Sequence, residues 1–544
     1  MQTTLKNKTI PIPEKRITYK KATNGTTYLY YTQRAYRNKK GKPTSDEISI
    51  GKKDTKTGNL IPNKNYYNIF QTTNPPQTTT QTLTPNNIQT HGTTTTLTQI
   101  ANQTGLTTIL KNTFPTTHNQ LLATAYYILC KGNVMMYIED WFNQTNIDFT
   151  PKMTDIDTSR LFASITNQER KEFFKQWIKH RGEQEYIAYD VSSLSTYSNN
   201  INIAEWGYNR DQENLPQVNL EMYYGMTTQI PVYYDVYSGS IPDKTYMEFM
   251  MATAKDLGIT KVCFILDRGF ETEDNLIFLR NQGFSFITAM PSSRVDVLRF
   301  IDENKSRVRS VSNWIKEYDV YGVKCEVELF GLKLWAHVYY DSEKQSFDEK
   351  ELYACVERLQ SELGKMSGSK GVSRRYRDFF VVEETGQGVV LSFELDTVLV
   401  DVRLGRAGFF VLLCSRGDLS SGEVLGLYRG RDVVEKGFCG FKNGLDFRRV
   451  RTHWVRTLEG KLFVGFLALV LRSYMGCLLR GNVELKRLTF DKVLLELEKI
   501  RIVTMSDMSQ HLIPLTKLQK TILTTLKVPI ETLTTKTDSK KCIL

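Results

Sequence analysis

Four residues in the last quarter of the chain combine a phenol, two cations and a carboxylate. They are Tyr428, Arg431, Glu435 and Lys442. On a helix, at about 100° per residue, the other three project within about 40° of Glu435, so all four would share one face. A carboxylate flanked in this way suits a site that holds a metal ion and a phosphodiester together. The alternative is a solvated helix face whose Arg431–Glu435 ion pair contributes only about 0.2–0.5 kcal/mol.

Two distant aspartates, Asp190 and Asp267, each follow an apolar run that predicts a central strand. A single aspartate at a strand end is usually just a turn residue. Two neighbouring strand ends could nevertheless bring both carboxylates together, and Glu435 could join them from a helix packed across the sheet. Three such oxygen ligands suit Mg2+ or Mn2+ rather than zinc. Two of these ions about 3.5–4 Å apart can activate a hydroxyl and stabilise the leaving oxygen in phosphodiester attack.

Length, charge and cysteine usage limit the class of protein. A chain of 544 residues with a net charge of +12 predicts several domains and favours a polyanionic partner. The eight cysteines form no C-x-x-C and no zinc spacing, which is typical of buried thiols in a reducing compartment. The first twenty residues lack the apolar core of a secretory signal. The most apolar stretch, 462–471, has about half the length of a membrane span. We therefore expect a cytoplasmic protein.

Composition and apolar periodicity divide the chain into seven segments. Residues 1–69 are predicted to form a basic, β-rich module, and the Thr/Gln/Asn/Pro-rich residues 70–98 a linker. A helical region, for DNA binding or dimerisation, follows at 99–184. The remaining segments are the first part of an α/β core, a β-rich insertion, the second part of the core and a helical tail, at 185–291, 292–418, 419–485 and 486–544.

The first part of the core alternates strands and helices in the order β-β-β-α-β-α-β. Its predicted strands are 186–191, 219–226, 230–237, 261–267 and 284–290. Beyond the insertion, Ser420 and Glu423 have the spacing of a capping box, which predicts the start of the helix that carries Tyr428 to Glu435.

The tyrosines and basic residues of 1–69, with the basic turn at 38–42, allow two interpretations. They could follow a DNA backbone while the aromatic rings pack or stack. They could equally form an exposed hairpin whose lysines block edge-to-edge strand pairing. The sequence leaves both open.

Taken together, these segments resemble the DDE transposases of prokaryotic insertion sequences, in the branch with a tyrosine-arginine-glutamate-lysine signature. The resemblance covers roughly residues 185–500, and the N-terminal module is only loosely similar. The segments that carry it are Tyr189 to Leu194, Gly207 to Asp211, Leu215 to Leu220, Ile230 to Val232, Gly239 to Lys244, Leu266 to Phe270, Tyr428 to Lys442 and Leu488 to Ile502.

The resemblance implies an α/β fold with an RNase H-like core, in which a mixed five-stranded sheet is flanked by helices and interrupted by a β-rich insertion. It implies that Asp190, Asp267 and Glu435 are catalytic and bind two Mg2+ or Mn2+ ions. Tyr428, Arg431 and Lys442 would contact DNA. The implied partners are terminal inverted repeats and target DNA, bound by a homodimer, with the protein associated with the nucleoid. The sequence departs from the family pattern after Glu435, at Gly437, Cys439 and Gly440. Each glycine in a helix interior destabilises the helix by about 1 kcal/mol.

Two other functions stay compatible with these residues. One is a catalytically inactive, DNA-binding relic of such an element, and the intact spacing of the acidic residues argues against it. The other is a non-transposing RNase H-like nuclease, which would cut DNA without needing specific ends or joining strands.

Overall fold

The computed structural model describes residues 9–70, 84–181, 186–260, 262–366, 373–385 and 390–533. The chain separates into two compact units, residues 1–84 and 85–544. Residues 71–83 of the predicted linker lie outside the described residues.

The N-terminal unit is a four-stranded antiparallel sheet in the order β1-β2-β3-β4, followed by a short helix. Its small core contains Leu29, Ile50 and Leu60. The elements are β1 (Ile17–Lys21), β2 (Thr27–Arg37), β3 (Pro43–Lys53), β4 (Leu60–Pro62) and α1 (Lys64–Phe70).

The larger unit mixes helices and strands throughout. Its strands are β5 (Pro85–Thr90), β6 (Tyr186–Ser195), β7 (Gln217–Gly225), β8 (Pro231–Ser238), β9 (Cys263–Leu266), β10 (Ser285–Ala289), β11 (Trp314–Ile315), β12 (Val320–Leu329), β13 (Leu332–Tyr340), β14 (Phe380–Glu384), β15 (Val390–Leu395), β16 (Phe409–Cys414), β17 (Arg501–Met505) and β18 (Gln510–Leu512).

The helices of this unit precede, connect and follow those strands. They are α2 (Gly92–Gln103), α3 (Leu106–Thr113), α4 (His118–Lys131), α5 (Ile138–Gln144), α6 (Asp155–Ser164), α7 (Asn167–Arg181), α8 (Asp243–Asp256), α9 (Glu273–Asn281), α10 (Val295–Val308), α11 (Ser342–Lys365), α12 (Arg374–Arg377), α13 (Thr397–Leu404), α14 (Ser421–Gly430), α15 (Asp432–Cys439), α16 (Val455–Arg480), α17 (Phe490–Glu498) and α18 (Lys517–Thr525).

The central sheet has nine strands, not the predicted five. Its order is β11-β12-β13-β16-β10-β9-β6-β7-β8. Strand β9 runs parallel to both β6 and β10, and the other pairs are antiparallel. The sheet is larger because the apolar strand β16 pairs with β10, and the β12–β13 hairpin then continues the sheet beyond β16.

The predicted insertion therefore divides into two parts with different roles. Its first hairpin and its last strand belong to the central sheet. The chain between them, α11 to α13 with the β14–β15 hairpin, has a separate small core that includes Leu359, Leu363, Tyr376 and Phe380.

The predicted linker and the predicted helical tail both contain strands. Strand β5, from the end of the linker, pairs with β17, and β17 pairs with β18. Helix α2 then begins at Gly92, where an added Cβ would lie 2.4 Å from Ile500. Both sequence predictions were wrong here because pairing between segments some 400 residues apart overrides local composition.

Helix α16 is the longest element in the core. Among the described residues it is the one helix that is long and apolar enough alone to cross a membrane, and the bent pair 118–131 with 135–144 passes the same test together. Two thirds of the most apolar part of α16 is buried in the protein, as in a core helix. The apolar stretch is thus longer than the predicted range 462–471.

Candidate active site

Two neighbouring strands position the two aspartates. Asp190 lies within β6, and Asp267 directly follows β9. The strands are parallel, with Ala188 opposite Ile265, so the same register places Asp190 level with Asp267. Strand β6 continues past the predicted end at residue 191, because β7 pairs with it as far as Ser195.

The third carboxylate comes from a helix packed on the same part of the sheet. The predicted capping box is present: Ser420 Oγ accepts a hydrogen bond from the Glu423 N–H, and Glu423 accepts one from the Ser420 N–H. Helix α14 ends at Gly430, Arg431 forms a turn, and α15 then carries Glu435 across β6 and β7. Tyr428 and Glu435 therefore lie on two consecutive helices rather than on one.

Gly437 allows α15 to lie this close to the sheet. A Cβ at this position would lie 2.4 Å from the ring of Tyr224 on β7, which is fully buried. The sequence presents this glycine only as a cost to the helix. In the structure the missing side chain is what lets Glu435 approach the aspartates.

The three carboxylates converge on one guanidinium group. Arg431 Nη2 lies 2.6 Å from Glu435 Oε1 and 3.5 Å from Asp267 Oδ1, and Arg431 Nη1 lies 3.8 Å from Asp190 Oδ2. The Arg431 side chain is only 13% exposed. The ring centroid of Tyr428 lies 5.9 Å from the central guanidinium carbon, Cζ, of Arg431. Five of the six predicted site residues are thus together.

Burial controls the protonation of the innermost aspartate. Burial raises the pKa of Asp190 to about 6, and the neighbouring Asp267 carboxylate acts in the same direction. The charge of Arg210, the N–H of Val191 and the charge of Arg431 act in the opposite direction. The Val191 N–H donates to Asp190 Oδ1 at 2.8 Å. Burial also raises the pKa of the Tyr428 phenol, which is therefore neutral. A nearby cation would therefore favour the charged form of Asp190.

Lys442 does not join this group. Residues 440–444 form a π-helix in which the Leu445 N–H bonds the Gly440 carbonyl at 3.0 Å. The wider turn changes the direction in which the side chain projects. The Lys442 ammonium is buried and bonds Asp211 Oδ2 at 2.6 Å.

Sequence reasoning assigned no role to Asp211 and Arg210, although both lie in a segment that carries the resemblance. Asp211 is the partner of Lys442, and the charge of Arg210 lowers the pKa of Asp190. The one sequence feature that could have identified them is their position in the loop after β6, the strand that carries Asp190.

The chemistry of the donor set fits a hard divalent cation, since all three groups are carboxylates. The Arg431 guanidinium lies among them and contacts all three. Across the part of the chain that the structure describes, no three His, Cys, Asp or Glu side chains are close enough together to hold a metal ion. The three carboxylates thus surround a cation of the protein itself, the Arg431 guanidinium.

One comparison with known proteins identifies a family. A family model described as "Transposase DDE domain" matches residues 181–471. No curated protein matches the sequence significantly. Among solved structures, a cryo-EM structure of the piggyBac transposase synaptic complex with hairpin DNA is similar over 78% of this chain and 79% of that chain. The identity is 10% and the TM-score 0.35, so this likeness carries no inference.

The matched range contains Asp190, Asp267 and Glu435 and spans more than half of the 544 residues. The chain therefore belongs to the transposase DDE domain family.

Proposed function

We propose that this protein is a DNA transposase that binds the ends of its own insertion sequence, cleaves the DNA there and joins the freed 3′ ends to a target. The convergence of Asp190, Asp267 and Glu435 on one guanidinium is the observation that carries the proposal. The net charge of +12 is compatible with a DNA partner,.

In this proposal the three carboxylates hold two Mg2+ or Mn2+ ions. When bound, such ions activate the attacking hydroxyl and stabilise the leaving oxygen. The protein groups supply position: β6 and β9 fix the aspartates, and the capped α14 with α15 fixes Glu435. Glu435 is the most exposed of the three, at 55%, so it is the ligand best placed to move.

Arg431 has two successive roles in this account. Without a divalent ion, its single positive charge offsets part of the negative charge of the three carboxylates and reduces their mutual repulsion. Ions held by the three carboxylates would displace this group, which would then be free to contact the DNA, where a planar guanidinium suits a phosphate. Tyr428 lies beside it and would contact the same phosphate. Lys442, in contrast, would reach DNA only if its ion pair with Asp211 opened.

Several wider features belong to the same proposal. The five strands β6 to β10, with α8 and α9, have the element order expected of an RNase H-like core. We infer that two copies of the protein pair the two DNA ends, and that the protein acts in the cytoplasm on nucleoid DNA.

The test uses the full chain, DNA that flanks its own gene, and Mg2+. We expect nicks at defined ends followed by strand joining, and no nicks with Glu435→Gln, which should still bind the same DNA. The matched control is Glu484→Gln, an exposed glutamate distant in sequence from the signature. Cleavage by Glu435→Gln would overturn the assignment. Tight binding without cleavage by the natural sequence would favour the relic, and cutting without end preference or joining would favour the nuclease.

A further inference from the structure

A cavity of about 500 Å3 lies on the other side of the helix that carries Glu435. Helix α15 contributes Asp432, Lys436 and Gly437 to its wall, and α16 contributes Arg472, Gly476 and Arg480. Its volume is within the range of small-molecule sites, about 300–1,000 Å3. None of the three catalytic carboxylates lines it.

Arg472 is the residue in this cavity whose bonding is incomplete. Its side chain is 18% exposed, and its guanidinium lies 4.0 Å from the ring centroid of Phe490. Nη1 is buried without a hydrogen-bond partner. The nearest carboxylate, Asp491, is 3.8 Å away and 80% exposed. Within the described residues, this partly buried cation therefore has one weak ionic contact and no hydrogen bond.

The backbone is shaped around this guanidinium. A Cβ at Gly444 would lie 2.5 Å from Arg472 Cζ, and one at Gly440 would lie 3.5 Å from Nε. Burial lowers the pKa of Arg472, although the group stays charged at neutral pH. A buried cation left without hydrogen bonds is costly, and an anion that accepts from it would remove that cost.

The other charges of the wall also favour an anion. Lys436 and Arg480 add two positive charges, and only Asp432, which pairs with Lys436 at 2.6 Å, opposes them. The space exceeds that of a bare phosphate ion, and part of the wall is apolar, including Leu469 and Leu488.

We propose that this cavity is a binding site for a phosphate-bearing nucleotide unit, with Arg472 as the principal phosphate ligand. The unit is either a free nucleotide or one nucleotide of a DNA strand. Because the site shares α15 with Glu435 but none of the carboxylates, its occupation is separable from catalysis.

The experiment measures binding of three probes to the full chain by calorimetry: deoxyadenosine monophosphate, deoxyadenosine and a short single-stranded oligonucleotide. Two variants test the site. Arg472→Met removes the phosphate ligand. Gly476→Leu fills the cavity from a helix, where the added Cβ meets only Arg480 Nη1 at 3.4 Å and leucine favours folding by up to about 1 kcal/mol.

Matched controls make the same changes elsewhere. Arg487→Met removes an exposed arginine, and Gly364→Leu adds a side chain on α11, where nothing lies within 4 Å of the new Cβ. We expect both site variants to weaken binding of a phosphate-bearing probe about tenfold or more, and the controls and Glu435→Gln to leave it unchanged.

The pattern across the probes identifies the source of the phosphate. Binding of the monophosphate indicates a free nucleotide, and binding of the oligonucleotide alone indicates a DNA strand. The proposal would be overturned if deoxyadenosine bound and did so as tightly as its monophosphate, or if neither Arg472→Met nor Gly476→Leu changed the binding of any probe. Neither result would bear on the catalytic carboxylates.

Discussion

Replacing Arg431 by methionine should tighten the binding of Mn2+. In the structure the guanidinium lies where a divalent ion would have to compete with it, 2.6 Å from Glu435 and 3.5 Å from Asp267. A hydrogen bond between charged groups contributes about 1.5–3 kcal/mol. Because Glu435 is more than half exposed, solvent screening favours the lower end of that range. Removing this competitor should therefore lower the Kd for Mn2+ by about tenfold.

The assay is a titration with Mn2+, followed by electron paramagnetic resonance of the free ion, on the full chain. The control is Arg429→Met, which removes a cation two residues earlier that pairs with Asp341 at 3.5 Å. The same Arg431 variant should lose thermal stability without metal, because three carboxylates then face one another, and regain it with Mn2+. Equal Mn2+ affinities for Arg431→Met, Arg429→Met and the natural sequence would refute the idea that the guanidinium occupies the cation position.

Two further predictions concern α16. Gly460→Ala should destabilise the fold by about 1–3 kcal/mol, because its Cβ would lie 2.1 Å from the Phe162 carbonyl oxygen. Its control, Gly476→Ala on the same helix, should be neutral or stabilising. Equal unfolding midpoints of the two variants in denaturant would contradict this prediction. Burial, aided by the Arg451 charge, lowers the pKa of Lys461 to about 7, so between about pH 7 and 10 the unfolded chain binds the extra proton and stability rises with pH. Lys461→Met should therefore be more stable than the natural sequence below pH 7. This advantage should shrink by about 1.4 kcal/mol for each pH unit above pH 7. A constant difference in unfolding free energy between the two proteins from pH 6.5 to 9.5 would contradict the lowered pKa of Lys461.

The sequence could predict the parts of the site that depend on local pattern. Asp190 and Asp267 end or interrupt apolar runs, and neighbouring parallel strands bring such positions together. The capping box at Ser420 fixes where the helix with the signature starts. These features are encoded within a few residues, so they can be recognised without knowledge of the fold.

What the sequence could not predict depends on contacts between distant segments. The position of Lys442 follows from a π-helical turn and from an ion pair with Asp211, more than 200 residues earlier. The extra strands of the central sheet depend on the pairing of β16 with β10, and β5 depends on its pairing with β17. Helical periodicity also cannot show that Arg431 would project between the carboxylates rather than towards solvent.

The most direct measurement is a crystal structure of the full chain soaked in Mn2+, with anomalous scattering used to locate the ion. We predict Mn2+ bound by oxygens of Asp190, Asp267 and Glu435, with the Arg431 guanidinium moved away from them. Mn2+ bound elsewhere, or a guanidinium still bonded to Glu435 at saturating Mn2+ with no ion among the three carboxylates, would contradict the account.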